Sequence, residues 1–175
     1  MNRRKRSSWR RPLTACFAVS AVIIPVLSVV LFVWPRTDTP RKVDAIVVLG
    51  GGSGPIRLTK GLKLALDDYA PTLLISTPEH STCRYSLPRV SVICFHPSPG
   101  TTQGEARYVG KLASERHWSQ IIVVSGRAQT TRARLRFDRC YHGTALFDPA
   151  GPVKIQNVVY EWGALAKALT IQRDC

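Results

Sequence analysis

From Leu13 to Trp34 the chain carries no charged side chain, and six of the eleven residues at its start are basic (Arg3, Arg4, Lys5, Arg6, Arg10 and Arg11). At a rise of about 1.5 Å per residue, a helix of that length reaches roughly 33 Å, close to the ~30 Å hydrocarbon core of a bilayer. The pattern predicts one membrane-spanning helix over 13–34. Positive charge is retained on the cytoplasmic side, so the N-terminus is expected inside the plasma membrane and the C-terminal part outside it, with Trp34 at the far interface. A cleaved secretory signal has a shorter apolar core and a small–x–small cleavage site; Ser28 has no partner at the required distance. The Arg10–Arg11 pair lacks the residues that usually flank a twin-arginine signal. Pro25 is tolerated within a membrane helix and marks a kink.

This reading divides the chain into a basic tail (1–12), a span (13–34), a linker (35–42) rich in proline and polar residues, and one domain (43–175). About 140 residues beyond the span suffice for one core and not for two. The formal charge of +14 is not confined to the tail, because 19 basic side chains face 11 acidic ones after residue 11. A basic tail suits anionic headgroups at the cytoplasmic surface. A basic outer domain suits anionic envelope material such as phosphorylated lipid carriers, and its compartment argues against nucleic acid.

Beyond the span lie Cys83, Cys94, Cys140 and Cys175. In an oxidising compartment four cysteines read as two bridges, with three pairings open. Cys83 with Cys94 would close a short loop between two predicted strands, and Cys140 with Cys175 would tie the last residue back to the domain; this pairing is the favoured one. No CxxC pair is present and His80, His96, His117 and His142 are scattered, so no metal site is expected.

Apolar β-branched runs alternate with helical periodicity along the domain. Strands are predicted at 45–49, 72–76, 90–95, 120–125 and 144–147, and helices at 56–69, 102–117, 129–140 and 156–169. Strands apolar on both sides are buried on both faces, which indicates a mainly parallel sheet between helices: a Rossmann-like three-layer α/β domain. In such folds ligands bind beyond the carboxyl ends of the strands. Gly50, Gly51 and Gly52 follow the first strand, Ser76 ends the second, Thr102 and Glu105 open a helix, and Ser125, Arg127, Gln129 and Arg132 follow the fourth.

Each motif also has a purely structural reading. LGGGSG lacks both the dinucleotide fingerprint and the P-loop ending, and serves equally as a tight turn, although glycine backbone at a helix N-terminus can approach an anion. Arg57, one turn further, could grip a phosphate or carboxylate through two parallel hydrogen bonds. Thr102 with Glu105 reads as a capping box, while Glu105 is also a candidate base. Arg134, Arg136 and Arg139 read as a solvated helix face. Glu161 and Trp162 belong either to the core edge or to the side of the crevice. No Ser-His-Asp order can be assembled; Glu105 and Ser125 are the catalytic candidates by position alone.

Taken together, Asp44-Ala-Ile-Val-Val-Leu-Gly-Gly-Gly, Arg57, Thr102-x-x-Glu-Ala and the strand ending Val-Val-Ser with Arg132-Ala133 resemble the YdcF-like family, in particular its membrane-anchored SanA/ElyC-type members. The resemblance spans about 43–169. It implies a Rossmann-like fold and a role in envelope integrity or wall-precursor handling, with no established reaction. It implies a pocket of Gly50, Gly51, Gly52, Arg57, Ser76, Thr102, Glu105, Ser125, Arg127 and Arg132. The chain departs from the family at the NTxEN motif, where it has Thr101, Thr102, Gly104 and Glu105, and at Gln129, where relatives carry histidine. That second departure favours binding over catalysis. The leading expectation is thus an extracytoplasmic domain that binds an anionic, phosphate-bearing ligand, either a small molecule or a lipid-linked phosphate. The alternatives are a hydrolase or transferase acting on a lipid-linked or nucleotide-like substrate, and a nucleotide or S-adenosylmethionine pocket. No cofactor, substrate or oligomeric state follows from the motifs.

Overall fold

The computed structural model describes residues 10–51, 54–77 and 83–175, with 10–18 as backbone alone. Five strands, β1 (Ala45–Val48), β2 (Thr72–Ser76), β3 (Ser91–Phe95), β4 (Gln120–Val124) and β5 (Thr144–Phe147), form one all-parallel sheet in the order β3-β2-β1-β4-β5. The helices are α1 (Arg10–Ser28), α2 (Gly54–Leu66), α3 (Thr102–Glu115), α4 (Thr130–Cys140) and α5 (Ile155–Thr170). A π-helical turn, Val29–Val33, continues α1, and a 3-10 turn, Arg127–Gln129, precedes α4.

Strand periodicity explains the layers. Alternate residues of a strand face opposite sides, so Ala45, Val47 and Leu49 join Ile121 and Val123 in one core with α3 and α4. Ile46, Val48, Ile122 and Val124 join Leu73, Ile75, Leu64 and Ala65 in the other, under α2. The fold is the expected Rossmann-like α/β arrangement, and both cysteine pairs, Cys83–Cys94 and Cys140–Cys175, are bridged.

Two helices approach each other closely because α3 carries glycine at the contact. A Cβ on Gly110 would stand 1.9 Å from the Cys140 carbonyl oxygen, backbone that cannot step aside. Gly110→Ala is therefore expected to cost about 2–3 kcal/mol through forced separation of α3 from α4, read as a lower thermal midpoint.

The linker is pinned to the domain. Asp38 exchanges hydrogen bonds with Phe147 at the β5 edge and takes an ion pair from Arg134 at 2.6 Å. The turn after α1 is also seated. Phe32 is fully buried with Ala128 and Leu165, its ring meets Trp162 edge-on at 5.4 Å, and Thr131 donates to the Leu31 carbonyl. Among the described residues, no helix is long and apolar enough to cross a membrane. The basic tail up to residue 9 lies outside the described residues, and so do the first side chains of the expected span.

Candidate functional site

The sheet order places a switch point between β1 and β4, because the chain leaves β1 toward β2 on one side and returns to β4 on the other. The N-termini of α2, α3 and the 3-10 turn before α4 converge above it. Backbone N–H groups at helix starts are unpaired and carry partial positive charge, so convergence favours an anion. The cleft there has a volume of about 1020 Å³.

Gly50 and Gly51 leave β1 into this cleft. Gly51 has φ +107°, a conformation that favours glycine, and a Cβ on it would lie 3.4 Å from Arg57 Nη2. Gly50 donates its N–H to Glu105 Oε1 at 2.6 Å, and a Cβ there would crowd both Ser76 Oγ and Glu105 Oε1. Gly52 lies outside the described residues.

Arg57, 2% exposed, points its guanidinium into the same space. Nη1 donates to Gln129 Oε1 at 2.8 Å, while Nε and Nη2 are buried with no partner among the described residues. Burial pulls its pKa down, and the Glu105 charge pushes back. A buried donor without a partner costs about 1–3 kcal/mol, so among the described residues Arg57 still calls for an acceptor at this point.

Gln129 is a bridge. Arg57 can only donate, which fixes the amide with Oε1 toward it and Nε2 toward Thr102. Nε2 reaches Thr102 Oγ1 at 2.7 Å, and Arg132 Nη1 reaches the same oxygen at 2.9 Å. Thr102 thus accepts twice, so its own hydroxyl proton is left to point at something else. Arg132 in turn clamps Glu161 bidentately, at 2.7 and 2.9 Å. Burial opposes the Arg132 charge, but the bonds and charge of Glu161, aided by Tyr160 and Glu105, outweigh it and raise the pKa.

The register of α3 differs from the expected capping box. Thr101 is the N-cap, accepting from the Gly104 N–H, so Thr102 is the first helical residue with its hydroxyl released to the network. Glu105 reaches across to Gly50 instead of folding back on the cap. It is 4% exposed, and burial raises its pKa against the opposing pull of Ser76, Gly50, Arg57 and Arg132. The proton is thus held more tightly folded than unfolded. By linkage, the Glu105 contribution to stability is full below the ordinary value of 4.5 and falls as pH rises from there to the raised folded value. Glu105→Gln is expected to flatten that fall, as measured by denaturant midpoints at successive pH values.

Nine of the expected residues line one cleft: Gly50, Gly51, Arg57, Ser76, Thr102, Glu105, Arg127, Gln129 and Arg132. Ser125 does not. It is fully buried behind the cleft, with its hydroxyl bonded to Thr130 at 3.0 Å, which leaves it no access to a ligand. Arg134, Arg136 and Arg139 are not a solvated face either. Arg134 holds Asp38, Arg136 is buried against Gln172, and Arg139 caps the Ala168 and Gln172 carbonyls. Glu161 reaches the cleft, whereas Trp162 turns away and donates to Ser28 at 2.8 Å. Tyr160, Lys154 and Gln172 also line the cleft without having been singled out in the sequence. For Tyr160 the available signal was its position one residue before Glu161 on the same helix.

The fold and site define a Rossmann-like α/β domain with a polar, arginine-bearing cleft at the sheet's switch point. No family model matches the chain, and no curated protein or solved structure does so.

Proposed function

We propose that the chain is a single-pass membrane protein of the YdcF-like family whose extracytoplasmic domain binds a phosphate-bearing anion in envelope or wall biogenesis. The observation that carries the binding reading is Arg57, whose Nε and Nη2 are buried without a partner among the described residues, with Nη2 beside Gly51. A phosphate oxygen between them would satisfy both. The Thr102 hydroxyl and the helix N-termini supply further donors, and Gln129 provides orientation without a titrating group. The resemblance of the glycine turn, Arg57, Thr102-x-x-Glu and Arg132-Ala133 to the family supports the wider assignment. The uncharged run behind its basic tail supports the membrane topology as far as about Leu27, whereas Ser28, Leu31 and Phe32, held by Trp162, Thr131, Ala128 and Leu165, belong to the domain, so the span ends before Trp34 and not at it.

The test is equilibrium dialysis of the purified full chain against inorganic phosphate, with adenine nucleotides and S-adenosylmethionine as competitors. Saturable phosphate binding that Arg57→Ala weakens is expected. Binding of the nucleotide or S-adenosylmethionine alone, indifferent to Arg57, would overturn the proposal.

One observation favours a hydrolytic second reading: Glu105, beside Arg57, holds its proton above the ordinary carboxyl range and could deliver it to a leaving oxygen. On that reading Glu105→Gln abolishes phosphomonoester hydrolysis, and Gln129→His, which restores a titrating group, accelerates it. Hydrolysis that neither substitution changes would rule it out.

A further inference from the structure

We infer that the cleft takes its anion from a lipid, and that the exposed face of α5 lies against the bilayer presenting it. The inference rests on the membrane-anchored, phosphate-binding reading above and adds the source of the ligand. The cleft is amphiphilic. Its floor is charged and hydrogen-bonded, and its lining also carries two exposed apolar side chains, Ile56 on α2 and Tyr160 on α5, 49% and 67% exposed, beside the polar Lys154, Gln156 and Asn157. Tyr160 lies under the Arg132 guanidinium at 6.0 Å, so exposed aromatic surface and the polar floor meet at one ring. Next to Tyr160 the apolar surface continues outward along α5 through Val159 and Ile155, 71% and 86% exposed. A folded protein gains nothing by leaving such a strip in water.

Three observations place the bilayer there. First, Trp162, three residues after Val159 on the same helix, holds Ser28 at the end of α1 through its indole N–H. Second, α1 itself presents Val22, Ile23, Ile24 and Val26 outward, all 49–64% exposed, so the apolar surface of α5 adjoins that of the helix expected to enter the membrane. Third, Lys154 stands at the cleft mouth at the start of α5, suited to a lipid phosphate at the headgroup level. The π-helical turn that continues α1 also packs on the turn that carries Gln129, since Phe32 sits against Ala128. The distance from bilayer to Arg57 is thereby fixed by packing and not by a loose tether. A phosphomonoester headgroup would seat at Arg57 while its hydrocarbon leaves between Ile56 and Tyr160 along α5.

Full-length protein in phosphatidylcholine nanodiscs tests this by displacement of radiolabelled inorganic phosphate. Long-chain phosphatidic acid in the nanodisc is expected to displace it at an effective concentration at least about tenfold below that needed for water-soluble dihexanoyl phosphatidic acid. The paired substitution Ile155→Glu and Val159→Glu, outside the cleft, is expected to erase that advantage while inorganic phosphate binds as before. Independently, a fluorophore on Val159→Cys in a Cys16→Ser background is expected to be quenched by brominated acyl chains. An unquenched label, or equal potency of the long and short lipids, overturns this inference while leaving phosphate binding intact. Failure of inorganic phosphate itself to bind removes the anion-pocket reading and this inference with it.

Discussion

Replacing Arg57 and Glu105 together, by methionine and glutamine, is expected to raise the melting temperature of the protein while reducing phosphate affinity at least about 100-fold. Both side chains are buried and charged within one cleft, and Arg57 leaves two donors unpartnered among the described residues. Neutral replacements of similar volume remove two desolvated charges, a change that is often neutral or stabilising by about 1–4 kcal/mol. Binding falls because hydrogen bonds from a charged donor to phosphate are each worth about 1.5–3 kcal/mol, and Arg57 offers two. The single variants should behave differently. Arg57→Met leaves Glu105 without a neighbour that helps keep it ionised, so the variant is expected to lose stability, and more so as pH rises. Glu105→Gln keeps Arg57 and the Gly50 contact, and is expected to retain much of the affinity. Calorimetric melting and phosphate dialysis on the three proteins separate these outcomes. A double variant that is less stable than its parent would mean that the pair holds the cleft together, not that it awaits a ligand.

The same cleft shows what a sequence carries and what it leaves to the fold. The strands were legible because β-branched runs such as Ala45–Val48 and Gln120–Val124 stop at glycine or at the end of an apolar stretch, and two-sided burial implies a parallel sheet. That topology alone brings Gly50, Ser76 and Gly126 to one edge. The residues on the first turns after those strands followed from it, Arg57, Thr102 and Arg132 among them. Part of what failed depended on contacts distant in sequence, and part on local register. Arg136 and Arg139 share a helix face, and nothing local reveals that the segment around Gln172 folds back over it. Asp38 reads as part of a polar tether until Phe147 and Arg134, about a hundred residues later, take it up. Ser125 sits at a strand end as expected, but Thr130 lies one helical turn away and claims its hydroxyl. The capping box failed by a single residue of register, and that shift freed the Thr102 hydroxyl for Gln129 and Arg132.

Opening the Cys140–Cys175 bridge, by a Cys140→Ser and Cys175→Ser pair, is expected to cost about 4 kcal/mol and to loosen the side of the cleft formed by the chain's last residues. The bridge spans a separation of 35 residues, and loop entropy in the unfolded chain gives a value of that order. The tail it retains is bound at several points. The Gln172 carbonyl accepts from Arg136 and Arg139, the Asp174 carbonyl accepts from Gln103, and the Cys175 carbonyl accepts from Arg107. Gln103 follows Thr102 at the start of α3, and both Gln103 and Gln172 line the cleft. A freed tail therefore takes support from the helix terminus that positions Thr102, and leaves buried Arg136 without its partners. The Cys83–Cys94 bridge closes a separation of only 11 residues, is worth about 3 kcal/mol on the same scale, and contributes no residue to the cleft. Removing it should lower the melting temperature with little change in phosphate binding. Removing the terminal bridge should lower both, with hydrogen exchange accelerating first in the early turns of α3. If the two bridge variants lose affinity equally, the tail acts on stability alone and does not shape the cleft.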